Sequence, residues 1–253
     1  MTDIVFIKPD WPAPLNVKAL QTTRIGGLSQ PPYANLNLGT HVNDDPLTVA
    51  INRQLLSPFL PSEPVWVNQV HGTHVIDAAQ TTCLEDADAA FTTHPNVVCV
   101  TMTADCLPVL LCDEAGTIVA AVHAGWRGLC DGVIEAAVNK MATDNSRILA
   151  WLGPAIGPQA FAVGDDVRQQ FLHKDANAMV AFKPNGNKWL CNIYTLAKQR
   201  LQRLGITQIY GGGVDEDFCT FTDEERFFSF RRDNVTGRMA SMIWLEVKPH
   251  IDY

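Results

Sequence analysis

Three short segments place a side chain that can bind a metal or attack carbon where an apolar run ends. NQVHG carries His71, TADCLP carries Cys106 and HAGWRG carries His123. Two imidazoles and one thiolate make three protein ligands, the number a catalytic zinc site uses while its fourth position stays open to water or substrate. Zinc held there would keep Cys106 as a thiolate and bring the pKa of a water towards neutrality. Asp105 beside the cysteine and Gln69 shortly before His71 are natural groups to orient ligands or substrate. Taken singly, each residue has a plainer reading: a lone histidine at a strand end is more often structural, and a lone cysteine a small buried hydrophobe. Glycine shifts the balance. Gly72, Gly125 and Gly128 bracket the two histidines, and glycine serves where backbone turns sharply or approaches a ligand closely. His74 falls off the strand face of His71 and is expected at the surface, while His41, His94, His173 and His250 have no comparable company.

Arg24 in TTRIGGLS, Arg127 in HAGWRG and Arg231 with Arg232 in FFSFRRD lie in glycine- or aromatic-rich segments. A local anion site there competes with the ordinary reading of an exposed or ion-paired arginine. Arg127 is the first choice for phosphate, since it stands just ahead of a predicted helix whose N-terminus offers free N–H groups and a positive dipole. Trp126 beside it can stack on a flat ring. A net charge of −8 disfavours a nucleic-acid footprint and suits a small charged substrate.

These groups need a scaffold. With 253 residues, 47% of them apolar and 18% charged, and with no repeat, low-complexity tract or linker, the chain reads as one domain over residues 1–253. The opening MTDIVFIKPDWPAP lacks secretory-signal features, no stretch approaches a membrane span, and the seven cysteines are scattered without a C-x-x-C pair. Those features predict a cytoplasmic protein with reduced thiols and no membrane partner. Helices are predicted after an Asp45 cap, with Leu47, Ala50, Ile51 and Leu55 on the inner face, over about Asp131 to Met141, and over about Asn192 to Leu204 with Gly205 as its stop. Strands are predicted at 64–70, 97–103, 108–113, 117–124 and 147–153, several of them apolar on both faces and so belonging in a covered sheet. Thr117 to Gly153 then reads as a βαβ unit. Residues 173–188 read as a surface excursion turning at Pro184 to Asn187, and FFSFRRDNVTGRMASMIWL as two strands around a turn at Asn234 to Gly237. The class is mixed α/β, in which ligands gather outside strand carboxyl ends, where His71, Cys106 and His123 are all placed.

At the same segments the sequence resembles the laccase-domain family, which carries the name multicopper polyphenol oxidoreductase and is also recognised as purine nucleoside phosphorylases. The match runs from TTRIGGLS and NLNLG through NDD, NQVHG, TADCLPVLL, HAGWRG and LGPAIGP to FFSFRRD and GRMAS. It covers nearly the whole chain; a C-terminal extension and an insert near 214 to 218 touch only its periphery. The resemblance implies a single-domain layered α/β/β/α fold with mixed sheets and a zinc held by residues matching His71, Cys106 and His123. It also implies phosphorolysis of adenosine, inosine and methylthioadenosine, with adenosine deaminase activity at the same site. For those reactions an arginine must hold phosphate, Arg127 ahead of Arg24 or Arg231, and Asp105 is the candidate proton carrier. Purine nucleosides and phosphate are the implied partners.

Three other functions compete. A multicopper oxidase needs paired H-x-H motifs, and this chain has seven histidines and no such pair. Two histidines and a cysteine nevertheless also suit copper, so copper loading in vitro would give incidental polyphenol oxidase activity. Without a metal, Cys106 as nucleophile and His123 as base would make a thiol hydrolase or amidase. The third alternative is a non-catalytic binder of a nucleoside or metal.

Overall fold

The computed structural model describes residues 3–81, 83–212 and 218–247. Residues 214–217 of the insert, His250 and the rest of the C-terminal extension from 248 lie outside them.

Two-faced burial builds the layers. Strands Leu107–Asp113 and Val119–Ala124 are buried at every position, as their apolar pattern predicts. Val109, Leu111, Ala120 and Val122 pack with Ile134, Ala137, Val138, Leu196 and Leu201 of a helical layer. Leu110, Cys112, Val119 and Ala121 on the alternate positions pack with Ile243 and Leu245 of a second sheet. The first sheet has six strands in the spatial order Gln208–Gly211, Ile148–Leu152, Leu107–Asp113, Val119–Ala124, Ala89–Thr92 and Val75–Asp77, and only its two outer pairings are parallel. The second is antiparallel throughout, ordered Phe6–Ile7, Val17–Thr22, Met239–Leu245, Cys99–Thr103. Leu36, Leu38 and Leu56 pack with its Val100, Ala240, Met242 and Trp244. The result is the layered, mixed-sheet α/β architecture that the sequence implies.

Helix Val133–Met141 buries Val133, Ile134, Ala137, Val138 and Met141, following its periodicity. Helix Ile193–Arg203 starts at an Asn192 cap that accepts from the Thr195 amide at 3.1 Å and stops before Gly205, at φ 86°. Helix Pro46–Gln54 is capped by Asp45 as predicted, but its inner face is different: Val49 and Asn52 are buried, while Leu47 and Ile51 are 75% and 42% exposed. Asn52 explains the rotation. Its side chain donates to Ser29 Oγ and the Asn37 carbonyl and accepts from the Leu28 amide, so satisfying a buried polar hub outweighs the apolar stripe.

Residues 64–70 make only isolated bridges, Val65 to Cys99 and Asn68 to Asp86, instead of the predicted strand. Gln69 takes over part of the pairing: its side chain donates to the Met102 carbonyl at 2.8 Å and accepts from the Met102 amide at 2.7 Å. In the C-terminal segment the first predicted strand is a short helix, Phe230–Asp233, because Ser229 caps it through the Arg232 amide. Val119–Ala124 and Ile148–Leu152 run parallel, as a βαβ unit requires, with antiparallel Leu107–Asp113 lying between them. Residues 182–191 form a hairpin around Gly186, at φ 60°, in place of a plain excursion. No helix among the described residues is long and apolar enough to cross a membrane.

Candidate metal centre

His123 lies near the end of its strand, where Pro108 is its cross-strand neighbour. Cys106 immediately precedes that neighbouring strand, so an antiparallel pairing brings the two side chains to one edge. Cys106 therefore stands at the amino end of strand Leu107–Asp113 as well as just after the carboxyl end of Cys99–Thr103, in the short connection that the sequence predicts. It also stands in the three-residue link by which the chain leaves strand Cys99–Thr103 of the second sheet and enters the first. His71 comes from the irregular segment after Gln69, with its backbone in the left-handed region at φ 61°.

One carboxylate fixes this arrangement. Asp88, which enters strand Ala89–Thr92, has a fully buried side chain whose Oδ1 accepts from His123 Nδ1 at 2.7 Å. The same carboxylate accepts from the amides of Val70, His71 and Gly72 at 3.2, 3.0 and 2.6 Å. Burial alone would raise the Asp88 pKa, but the His123 hydrogen bond and charge and the Gly72 and His71 amides hold it below the ordinary carboxylate value. With Nδ1 engaged, His123 presents Nε2 to the site.

The ligand atoms of His71, Cys106 and His123 all lie within 4.8 Å of one another, and Cys106 Sγ is 3.8 Å from His71 Nε2. A tetrahedral zinc would place neighbouring S and N ligands roughly 3.3 to 3.6 Å apart, so the cluster fits one ion with small adjustment. Gly125 makes the close approach feasible, since a Cβ there would stand 2.9 Å from His71 Cδ2 and 3.0 Å from Cys106 Sγ. The electrostatics suit a ligand set. Burial pushes the Cys106 thiol up, but the adjoining His123 and His71 outweigh it and bring it down to about 6. Burial pushes His123 down, while Cys106 and Asp88 lift it to about 9. The proton thus resides on the imidazole and the sulfur is a thiolate.

His71, Ala104, Cys106 and Phe230 form a partition between two cavities of about 250 Å³ each. Trp126, Ile156, Phe161 and Ile193 make the first largely apolar, with Asp105, Arg127 and Arg231 also on its wall. The second, whose surface is also mostly apolar, gathers the polar side chains of His41, Gln69, Thr103, His123 and Arg238 beside Met102.

The predicted residues separate accordingly. Trp126, Arg127, Arg231 and Asp105 border the apolar cavity. Asp105 is a tie: its Oδ1 accepts from the Thr220 hydroxyl and its Oδ2 from the Arg231 amide, both at 2.6 Å, joining the Cys106 link to the C-terminal segment. Arg231 spends Nη1 on the Ala162 carbonyl at 2.8 Å. Arg127 precedes helix Val133–Met141 as predicted, but it lies inside a further short helix, Trp126–Asp131, that intervenes; the residue is exposed and its guanidinium stacks over Trp126 at 4.6 Å. Arg24 lines neither cavity, because its Nε and Nη1 donate to the carbonyls of Ala34 and Glu224. Arg232 is likewise engaged with the Thr220, Phe221 and Phe227 carbonyls and Asp233. Gln69 has both ends of its amide on Met102 and serves as scaffold. His74 is exposed, as expected.

Sequence reasoning passes over three residues at the site: Asp88, which is bonded to the cluster, and His41 and Arg238, which line the second cavity. Asp88 is a carboxylate at the entrance to the apolar ADAAF strand, an anomaly legible as a buried, bonded group. His41 and Arg238 follow or lie within the NLNLG and GRMAS segments, whose sequence shows no ligand spacing.

With this geometry in view, the family model described as multi-copper polyphenol oxidoreductase laccase matches residues 18–246. The chain belongs to this family. Within it, the chain is 54% identical over 242 residues to the purine nucleoside phosphorylase YfiH of Escherichia coli strain K12, covering 94% of this chain and 98% of that protein. A purine nucleoside phosphorylase of Pseudomonas aeruginosa is 50% identical over 243 residues, with 95% and 98% covered. Among solved structures, Neisseria meningitidis protein NMB0706 superposes with a TM-score of 0.91 at 47% identity over 96% of this chain and 99% of that one. YlmD of Geobacillus stearothermophilus superposes at 0.83 with 27% identity, covering 96% of each.

Proposed function

We propose that the chain, acting as one domain, is a purine nucleoside phosphorylase for adenosine, inosine and methylthioadenosine that also deaminates adenosine. The observation that carries this reading is a cluster of three side chains able to hold one metal ion, set in the wall between an aromatic cavity and one bearing His41 and Arg238. Relatives of nearly equal length bearing the phosphorylase name support it. Zinc held by His71, Cys106 and His123 would supply Lewis acidity. The aromatic cavity suits a purine, with Trp126 and Phe161 as its flat walls. In phosphorolysis a phosphate oxygen forms the bond to C1′ as the C1′–N9 bond breaks, its electron pair leaves with the base, and the base takes up a proton. In deamination a water oxygen adds at C6 and ammonia leaves. Asp88 acts through His71 and His123, and Asp105 through Arg231 and the Cys106 link. Seven free cysteines support a reducing, cytoplasmic setting.

Incubating adenosine with metal-loaded protein, with and without phosphate, and separating adenine, ribose 1-phosphate and inosine tests the assignment. Release of adenine only with phosphate supports it; no base at any phosphate concentration removes it.

A second reading has its own support. Cys106, His123 and Asp88 stand in the order nucleophile, base and orienting carboxylate, the arrangement of a thiol hydrolase. His71 beside the same sulfur is surplus to that triad and necessary to a metal, which favours the first reading. Metal analysis decides: one ion per chain supports the phosphorylase, and a metal-free, thiol-dependent enzyme supports the hydrolase.

A further inference from the structure

Resting on the phosphorylase reading, we propose that Arg238 holds the phosphate co-substrate in the second cavity, with His41 as a second donor. Arg238 Nη1 donates to the carbonyls of Thr236 and Gly237, each at 3.0 Å, while its Nε and Nη2 have no hydrogen-bond partner among the described residues. None of the residues lining that cavity is a carboxylate. A guanidinium with a free edge, on a wall whose one anionic side chain is the Cys106 thiolate, is a site for a small oxyanion. His71, Cys106 and His123 border the same cavity, which puts the anion beside the metal centre and across the partition from the aromatic cavity.

The segments around Arg238 are built to aim it. The fully buried Asn37 accepts from the amides of Gly39 and Arg238 through one oxygen, both at 2.9 Å, and donates to Asp44 at 2.9 Å. Ser29 donates to the same Asp44 oxygen at 2.6 Å. The Leu38 amide donates to the Arg238 carbonyl at 3.2 Å. Gly39 leaves room for the arginine stem, since a Cβ there would lie 2.8 Å from Arg238 Cγ. The NLNLG, NDD and GRMAS segments thus share one physical task, which no metal-ligand role accounts for. The other arginines are less suited: Arg24 and Arg232 are spent on carbonyls, Arg231 shares its cavity wall with the Asp105 carboxylate, and Arg127 is exposed and stacks over Trp126.

The test uses full-length, metal-loaded protein and inorganic phosphate. Arg238→Gln is expected to raise the phosphate KM by about tenfold to a hundredfold, the loss of a charge-assisted contact, with the nucleoside KM within about twofold. Gly39→Ala, which leaves Arg238 in place but displaces its stem, is expected to move the phosphate KM the same way. Arg127→Gln is expected to leave it within about twofold. A readout free of turnover is the rise in Tm on adding phosphate in place of chloride at equal ionic strength, expected in wild type and absent in Arg238→Gln. An unchanged phosphate KM and a persisting Tm rise in Arg238→Gln would overturn the proposal. So would an increase in phosphate KM in Arg127→Gln as large as in Arg238→Gln. If Arg238→Gln does not fold, Arg238→Lys and Gly39→Ala carry the same test, and normal phosphate KM in both counts against it. If wild type releases no base, the phosphorylase reading fails separately. The anion site then stands on the Tm rise and its loss in the variants, and falls if wild type shows no rise.

Discussion

Asp88 Oδ1 lies 2.7 Å from His123 Nδ1 and 3.0 Å from the His71 amide nitrogen, so a single oxygen orients one side chain of the candidate metal cluster and fixes the backbone of another. Asp88→Asn keeps the size of the group but turns one acceptor into a donor against the Val70 and Gly72 amides or the His71 amide and His123. Metal affinity is expected to fall by about 10- to 100-fold, the usual consequence of losing such a supporting carboxylate. Competition with a chelator of known affinity measures it, and wild-type affinity in the variant would remove Asp88 from the site.

Gly125→Ala tests the same centre without touching a ligand. The new methyl must displace the His71 ring and the Cys106 sulfur, each at about its own contact limit already. Overpacking of this kind costs about 1 to 3 kcal/mol. Here the strain falls on the ligand set, so metal affinity is expected to drop by about tenfold while the far-ultraviolet circular dichroism stays unchanged. Unaltered metal binding would show that the ligands stand further from Gly125 when the ion is present.

In metal-free protein Cys106 is expected to react with iodoacetamide along a titration centred near pH 6, since the adjoining imidazoles bring its pKa to about 6. Subtracting the reaction of Cys106→Ser isolates this thiol from the others. His123→Ala should move the midpoint upward, because the imidazolium is the strongest influence opposing burial. Stability should nevertheless change little between about pH 7 and 8, above which the buried thiols of Cys99, Cys112, Cys130 and Cys191, raised by burial, begin to cost stability of their own. The lowered thiol pKa adds stability as pH rises from about 6 towards 9.0, and the raised His123 pKa removes it between 6.5 and about 9. Across the shared window the folded pair and the unfolded chain each keep one proton. A steep slope of metal-free Tm in that window would contradict the paired assignment.

The cluster was legible because each of its residues ends or adjoins an apolar run and both histidines have glycine close by, while Cys106 meets Gly125 only in the fold. The interior of helix Val133–Met141 was legible for a similar reason, since nothing but apolar packing decides its face. Where polar satisfaction decides, pattern fails. Asn52 rotates helix Pro46–Gln54 so that Leu47 and Ile51 face outward, Gln69 replaces part of a strand ladder with its side chain, and Ser229 starts a helix in a sequence rich in strand formers. Arg238 and His41 were illegible for a different reason. Their position depends on the Asn37–Asp44 hub, joining residues about two hundred apart, and no local spacing encodes that contact.

Polyphenol oxidation, if observed, is expected to follow added copper and not enzyme. Among the described residues the one group placed to hold a metal has three ligands, enough for a single ion and not for a multinuclear copper cluster. Two imidazoles and a thiolate bind copper strongly, so adventitious loading is chemically natural. Zinc-loaded protein assayed with copper rigorously excluded should be inactive towards polyphenols. Sustained turnover under that condition would establish an oxidase that the ligand count does not provide for.

Phosphorolysis and deamination of adenosine should compete for one bound nucleoside. Both proposed reactions require the purine in the aromatic cavity beside the same metal cluster, and they differ in whether phosphate reaches C1′ or water reaches C6. Raising phosphate at fixed, saturating adenosine should therefore increase adenine release and decrease inosine release from a common pool. The adenine-to-inosine ratio should rise in proportion to phosphate, while the rate of adenine release itself levels off as phosphate fills the second cavity. Two independent sites would behave differently, with inosine formation indifferent to phosphate. An inhibitor analogue that cannot be cleaved should then suppress both reactions with one inhibition constant if the site is shared. Two constants differing by more than about tenfold, equivalent to 1.4 kcal/mol of binding, would show that deamination takes place elsewhere on the chain.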